Sequence, residues 1–306
     1  MDGAQKNDRT SPPLPRSVTT ILPNRLFAIG GTISCDRPLS WLSPQARGFL
    51  PVQCYAFRDA GHLFIIDTGL HIHQAQILEG LAALAGRTTT RRLVLTRREP
   101  DNMMNLTAIV RELRIQSVQC SGPADPFDIV DKIDAALSSE QIKAMLGTSA
   151  SFFAPGERIQ VGALEVEHVR PGLRMLATEW FYEARTRSLF TTDTWAFVTR
   201  PAPDLPAVLR PSAEDISVAG IRNHLAAKFE WLSGTDTKPI ADALRAVLQR
   251  PVDRVCPFYG CVIEGPEAVR LLLDNTMLAL EALAKEPPLA PLKGFEWPRD
   301  RRPIVV

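Results

Sequence analysis

A β-hairpin that leads through a helix into a buried strand is the feature that most constrains how this chain can fold. Val52–Phe57 alternates as strand residues do, a turn follows, and His62–Asp67 returns as the second strand. Apolar residues at helical spacing predict a helix over Gln74–Leu84, and Arg92–Thr96 has the apolar centre of a buried strand. A strand pair continued by a helix and a further strand indicates an α/β fold.

The remaining segments continue this α/β rhythm to the end of the last predicted helix. We therefore expect one domain over residues 25–285, preceded by a polar, proline-bearing leader at 1–24 that is predicted to be disordered, and followed by a tail at 286–306. The further predicted helices are Met104–Leu113, Pro126–Leu146, Ile216–Leu232, Pro239–Leu248 and Pro266–Ala284, and the further strands are Ser117–Cys120, Glu157–Val161, Leu164–Val169, Trp180–Glu183, Ser188–Phe190 and Arg254–Pro257.

Charge and composition exclude several classes of function. The net charge is +1, whereas nucleic-acid and membrane-surface binding both need a concentrated basic face. No apolar run approaches the ~20 residues that a membrane-spanning helix requires. We therefore expect no nucleic-acid partner and no membrane association. The five cysteines are scattered and odd in number, which argues against a disulfide framework and favours a reducing cytoplasm.

Cys256 and Cys261 are close together in the segment Cys-Pro-Phe-Tyr-Gly-Cys. A redox pair or part of a metal site is one interpretation, but the spacing is not that of a Cys-x-x-Cys motif and no second pair exists. Free cysteine often behaves as a small buried hydrophobe. We therefore predict that these two thiols are buried and inert.

Five short segments carry a pattern that goes beyond secondary structure. In chain order they are Val52–Phe57, Phe64–Gly69, Leu93–Thr96 with the polar loop that follows it, Leu189–Asp193, and Pro257–Gly260. Their order and character resemble the metallo-β-lactamase superfamily. The Arg-Glu-Pro-Asp loop at residues 98–101 is most similar to its flavodiiron, or oxygen-binding di-iron, branch. The resemblance implies an αββα sandwich in which imidazoles and carboxylates from five loops converge on two metal ions.

Three carboxylates of the family's metal site are present at the matching positions. They are Glu99 and Asp101 in the loop after the Leu93–Thr96 strand, and Asp193, which matches the aspartate that bridges the two ions. Three oxygen ligands alone suit hard ions better than the zinc and iron class, which favours sites with imidazole or thiolate. The resemblance therefore implies a metal site on these three residues only if a metal is bound at all.

Every histidine of that site is replaced. The first falls on Arg97, the second-site histidine on Asn102, the histidine of the Thr-Pro-Gly-His motif on Leu173, and the last on Tyr259. These four residues are the remaining pocket candidates, and none is assigned a catalytic role. Because an arginine is permanently charged, we predict that the Arg97 guanidinium pairs with the carboxylates in place of a metal. The alternative is that Arg97 points into solvent.

Two functions follow from this reading. The first is a pseudoenzyme: a non-catalytic binding or regulatory domain with a degenerate metal site and no expected cofactor. The second is a hydrolase or di-iron-type oxidoreductase with a rebuilt Fe, Zn or Mn site on Glu99, Asp101 and Asp193.

The resemblance to the di-iron branch further implies a homodimer, and a small molecule or protein of unidentified kind is an additional partner. Of the other histidines, His71 and His73 form a His-x-His pattern that can bind metal on a strand, but at the start of a helix they are predicted at the surface or a pocket rim. His168 is the weaker match for the position of Leu173.

Overall fold

Two seven-stranded β-sheets form the centre of the protein. The computed structural model describes residues 13–36, 39, 42–43, 46–122, 124–128, 137–154, 156–173 and 178–287. The first sheet contains, in spatial order, β1 (Val18–Leu22), β2 (Leu26–Ser34), β3 (Phe49–Asp59), β4 (His62–Ile66), β5 (Thr90–Val94), β6 (Ser117–Cys120) and β7 (Ser149–Phe152). Strands β1 to β4 pair with one another in antiparallel fashion. Strands β4 to β7 pair in parallel.

The predicted hairpin is the point at which the first sheet changes from antiparallel to parallel. Strands β3 and β4 pair from Tyr55 opposite Ile66 to Asp59 opposite His62. Their turn uses positive φ angles at two residues, including Gly61, where such a φ carries no steric cost. The chain then crosses over through a helix and returns as β5, parallel to β4, as the predicted strand–helix–strand unit requires.

The second sheet is formed by the second half of the chain. Its spatial order is β12 (Val208–Leu209), β14 (Val262–Glu264), β13 (Arg254–Pro257), β11 (Ser188–Thr192), β10 (Trp180–Glu183), β9 (Leu164–Val169) and β8 (Arg158–Val161). Strands β11 and β13 are parallel, with Leu189 opposite Val255, so their carboxyl ends lie at the same edge.

The two sheets pack against each other, and helices cover their outer faces. Buried residues of both sheets form the central core, in which the Phe190 ring lies 5.1 Å from Tyr55 and 5.6 Å from Phe57. A second core lies under the helices of the first sheet and a third under those of the second. The helices are α1 (Gln74–Ala85), α2 (Pro100–Met103), α3 (Leu106–Leu113), α4 (Ser139–Leu146), α5 (Val218–Lys228), α6 (Lys238–Val247) and α7 (Pro266–Ala284).

This arrangement is the predicted αββα sandwich, but three boundaries differ. Strand β1 (Val18–Leu22) lies within the predicted leader, because this short segment pairs with β2. The helix predicted over Pro126–Leu146 is interrupted: Phe127 and Asp128 are helical, residues 129–136 lie outside the described part, and the segment that ends at Leu146 begins at Ser139, where Ser138 caps it. The helix predicted to Leu232 ends at Lys228, because Phe229 leaves the helical conformation before a short 3₁₀ turn.

Two further features concern the ends of the chain and the membrane. Of the predicted tail, 288–306 lies outside the described residues, while Glu286 pairs with Arg222. Within the described residues, none of the helices is both long and apolar enough to cross a bilayer.

Candidate functional site

The loop that follows β5 is held by a buried carboxylate at the end of β4. Asp67 is 2% exposed and accepts hydrogen bonds from the Thr96 backbone amide over 2.8 Å and from the Thr96 hydroxyl over 2.7 Å. The side-chain amide of Asn102 donates to it over 2.6 Å. Burial raises the pKa of Asp67 to about 6, although the donors around it act in the opposite direction. Asp67 therefore fixes both ends of the segment that carries the predicted site.

The Arg97 side chain turns into the protein and lies between two carboxylates of its own loop. Its Nη1 donates to Glu99 Oε2 over 2.6 Å, and its Nη2 donates to Asp101 Oδ2 over 2.7 Å. The side chain of Arg97 is 2% exposed, whereas those of Glu99 and Asp101 are 29% and 30% exposed. Because a buried cation requires charged partners, these pairs hold the guanidinium inside. The structure agrees with the inward alternative and not with an arginine that points into solvent.

Two cations approach Asp193, one at each carboxylate oxygen. Arg97 Nη2 lies 3.5 Å from Oδ1, and Lys228 Nζ on α5 lies 3.2 Å from Oδ2. The Asp193 side chain is 5% exposed and that of Lys228 is 12% exposed, so water screens this contact little. The three carboxylates and two cations therefore form one charge cluster. Sequence reasoning missed Lys228, which lies 35 positions after Asp193 in no motif that we could interpret.

Aromatic residues close the cluster beside Arg97. The guanidinium carbon lies 4.9 Å from the Phe258 ring centre and 5.6 Å from that of Tyr259. The Tyr259 hydroxyl donates to Asp101 Oδ2 over 2.5 Å. Burial and the neighbouring Asp101 raise the pKa of Tyr259, so it stays a neutral donor. Burial alone would lower the pKa of Arg97, but Asp193, Asp101 and Glu99 together raise it, and the guanidinium remains charged.

Asn102 and Leu173, at the other two positions where a histidine is replaced, provide no ligand to this cluster. Asn102 is fully buried and supports the loop, because its side chain bonds to Asp67 and to the Arg97 carbonyl. Leu173 is also fully buried, within the hydrophobic core between the second sheet and its helices. Its neighbour Gly172 lies so close to Ala243 on α6 that a Cβ there would come within 2.3 Å. Leu173 is therefore a core residue and not part of the pocket, because its loop packs against α6.

None of the described ion pairs of Glu99, Asp101 and Asp193 involves a histidine. His168 Nε2 lies 2.9 Å from Glu179 Oε2, and Nδ1 lies 3.1 Å from the Ala154 carbonyl. Burial would lower the pKa of His168, but these two acceptors raise it overall. His71 contacts the side chain of Asn105 over 3.2 Å at the start of α1.

His73 and His224 are the remaining described histidines with a shifted pKa. His73 is partly buried and packs against Gly31, and burial lowers its pKa. His224 is fully buried one turn before Lys228, and burial lowers its pKa to about 3, so it is neutral at physiological pH. Sequence reasoning gave His224 no role; in the structure its ring lies 5.2 Å from that of Phe197 and next to the backbone of Asp193.

The cysteines form no site of their own. All five are free and buried, and burial raises the pKa of Cys261 to about 12 and that of Cys256 still further. The prediction that these two thiols are buried is confirmed, and their inertness stays a prediction.

The architecture and the position of the cluster at the carboxyl ends of β5, β11 and β13 define a sandwich of the metallo-β-lactamase type. Solved structures that match the chain include flavodiiron proteins and their relatives. Rubredoxin oxygen:oxidoreductase from Desulfovibrio gigas is 14% identical with a TM-score of 0.61, and the match covers 86% of this chain and 61% of that one. The flavodiiron protein from Giardia intestinalis is 13% identical with a TM-score of 0.59, over 87% and 59%.

A fragment of a putative diflavin flavoprotein from Nostoc is 13% identical with a TM-score of 0.63, over 87% of this chain and 96% of the fragment. No family model and no curated protein sequence matches the chain. This chain spans only about three fifths of the two longer proteins, 61% and 59%. The likeness confirms the predicted fold and says nothing by itself about the reaction.

A dinuclear iron centre does not fit the side chains around Arg97. Within the described residues, no group of three or more histidine, cysteine, aspartate or glutamate side chains is arranged to hold a metal ion. The three carboxylates that match the family's ligands direct oxygens at Arg97 or Lys228, at distances of 2.6 to 3.5 Å. In the described part of the chain no imidazole pairs with these three carboxylates, and iron and zinc sites normally contain one.

Proposed function

We propose that this chain is a metal-independent binding or regulatory domain, in which the Arg97 guanidinium occupies the centre that metal ions hold in catalytic relatives of this fold. The observation that carries the proposal is the position of that side chain, 2% exposed and within 2.6 to 3.5 Å of Glu99, Asp101 and Asp193. A pseudoenzyme of this kind would use its surface, and not a bound ion, for its function.

Electrostatics supports this proposal over metal binding. A divalent ion on these carboxylates would lie within ~4 Å of a permanent cation, and at an effective dielectric constant of about 20 the repulsion amounts to roughly 8 kcal/mol. Arg97 cannot relieve it by losing a proton, because the carboxylates raise its pKa. The rebuilt Fe, Zn or Mn site on the same three residues remains the alternative, and it requires Arg97 to leave its two hydrogen bonds.

The test is the metal content of the purified protein after incubation with Fe²⁺, Zn²⁺ or Mn²⁺ and removal of free ions. We expect far less than one metal per chain in the wild type and in Asp193→Ala. Arg97→Ala removes the competing cation and should retain Mn²⁺ more tightly than the wild type. The matched control is Arg111→Gln, which alters an exposed arginine elsewhere.

Two results would overturn the proposal. Stoichiometric metal in the wild type that disappears in Asp193→Ala would establish the rebuilt site and make hydrolase and oxygen assays worthwhile. Equal Mn²⁺ retention by the wild type and Arg97→Ala would mean that the guanidinium does not exclude the ion.

A further inference from the structure

A second concave region lies at the opposite end of the second sheet. Strands β11 and β13 run parallel, with the charge cluster beyond their carboxyl ends. At their amino ends is a cavity of about 300 Å³, within the range of ligand pockets. Its apolar wall is formed by Leu248, Val252, Val269 and Leu273. The length of the strands separates this cavity from Arg97, so its occupant would not depend on the proposed function.

Three arginines line this cavity and only one carboxylate does. They are Arg187, Arg250 and Arg270, with Asp253 as the acid. Three guanidinium groups around one cavity repel one another unless anions compensate them. The lining therefore has two positive charges in excess before contacts outside the cavity are considered.

Two of the arginines are already held by carboxylates. Arg250 pairs with Glu167 through a hydrogen bond from Nη2 over 2.5 Å. Arg187 Nη1 lies 3.6 Å from Asp253. The Arg187 backbone is also fixed: its φ is +51°, and its carbonyl accepts from the Asp253 amide over 2.9 Å. These two guanidinium groups are therefore presented on ordered backbone with their charges compensated.

Arg270 is the third arginine of the lining. It is exposed on the second turn of α7, and no carboxylate in the described part of the chain pairs with it. The first turn of the same helix contributes Pro266 to the cavity, and the helix has no side-chain cap at its N-terminus. A helix N-terminus adds a partial positive charge to that of Arg270. Counted over its lining and Glu167, the cavity has an excess of one full charge beside an apolar wall. Glu267 and Asp274 lie one turn away from Arg270 on the same helix but line other grooves.

We propose that this cavity binds a small monoanionic carboxylate with a compact apolar body. The carboxylate would accept hydrogen bonds from Arg270 and, at the rim, from Arg187, because a guanidinium matches the two oxygens of a carboxylate. The apolar body would pack on Val269 and Leu273. A doubly charged anion matches the excess charge less well than a single carboxylate does.

Benzoate is the probe, and the measurement is a titration followed by the methyl resonances of Val252, Val269 and Leu273. We expect saturable shifts of these methyls with a Kd of about 1 mM, a typical affinity for a ligand of this size in a half-open site. Benzyl alcohol has the same shape without charge, and acetate has the charge without the ring. Both should bind at least about tenfold more weakly, since each lacks one of the two interactions.

Arginine variants test which positive charge contacts the carboxylate of benzoate. Arg270→Gln should weaken benzoate binding about tenfold, the loss expected for one charge-assisted hydrogen bond at a solvent-accessible site. Arg111→Gln makes the same change of net charge on α3, under the first sheet, and should leave the affinity unchanged. Arg187→Gln provides a second variant within the cavity, with an expected loss smaller than that of Arg270→Gln.

Four results would overturn the proposal, of which three concern benzoate and the variants. They are the absence of saturable shifts at any benzoate concentration, equal binding of benzyl alcohol and benzoate, and equal affinities of Arg270→Gln and Arg111→Gln. Tighter binding of inorganic phosphate than of benzoate would also contradict it, because phosphate makes no use of the apolar wall.

Discussion

Replacing Arg97 by methionine tests the charge cluster most directly. Methionine has similar length and no charge, so the change leaves Glu99, Asp101 and Asp193 with Lys228 as the nearby cation. Removing one partner of a buried ion pair costs about 3–5 kcal/mol. Two of the carboxylates are 29% and 30% exposed and can turn toward water. We therefore expect a loss at the lower end, about 3 kcal/mol at pH 7.5.

The assay is urea unfolding at pH 7.5, followed by tryptophan fluorescence, for the wild type, Arg97→Met, Arg97→Lys and the surface control Arg111→Gln. Trp195 is fully buried in the core and reports global unfolding. Arg97→Lys keeps the charge but loses the two-pronged geometry, so its stability should lie between those of the wild type and Arg97→Met. A stability of Arg97→Met equal to that of the wild type at pH 7.5 would refute the reasoning.

Three further predictions follow from the same contacts. Lys228→Met should destabilise the protein by about 1–3 kcal/mol in urea unfolding, less than the change at Arg97, since one buried pair with Asp193 is lost; an unchanged midpoint would contradict the burial of this pair. His168→Gln should lower the free energy of unfolding most below about pH 6.5. The pKa of His168 is raised in the folded protein, so the stabilisation by the Glu179 pair is complete at low pH and is lost as the pH rises through the folded-state pKa. A constant difference between wild type and variant from pH 5 to 9 would be inconsistent with this. The resemblance predicts a homodimer, so light scattering after gel filtration should give twice the 33.8 kDa chain mass, and a monomer at micromolar concentration would argue against it.

Much of the fold is encoded in local patterns that the sequence displays. Strand alternation, helical spacing and the turn at Gly61 depend on neighbouring residues, so they were sufficient to predict the β3–β4 hairpin, α1 and β5. The order of the landmark segments then predicted the αββα sandwich and the three carboxylates. Boundaries were less certain where a short strand followed a proline-rich segment, as at β1.

The sequence by itself therefore determined which charges the loops carry, and only the tertiary structure decided what those charges contact. Lys228 reaches Asp193 from a helix in another part of the chain, and Leu173 lies in the core, although motif spacing had placed it in the pocket. The inward direction of Arg97 depends on carboxylates from two loops and on the Phe258 ring. A buried charge is stable only where its partners converge in space, and separation along the chain gives no measure of that distance.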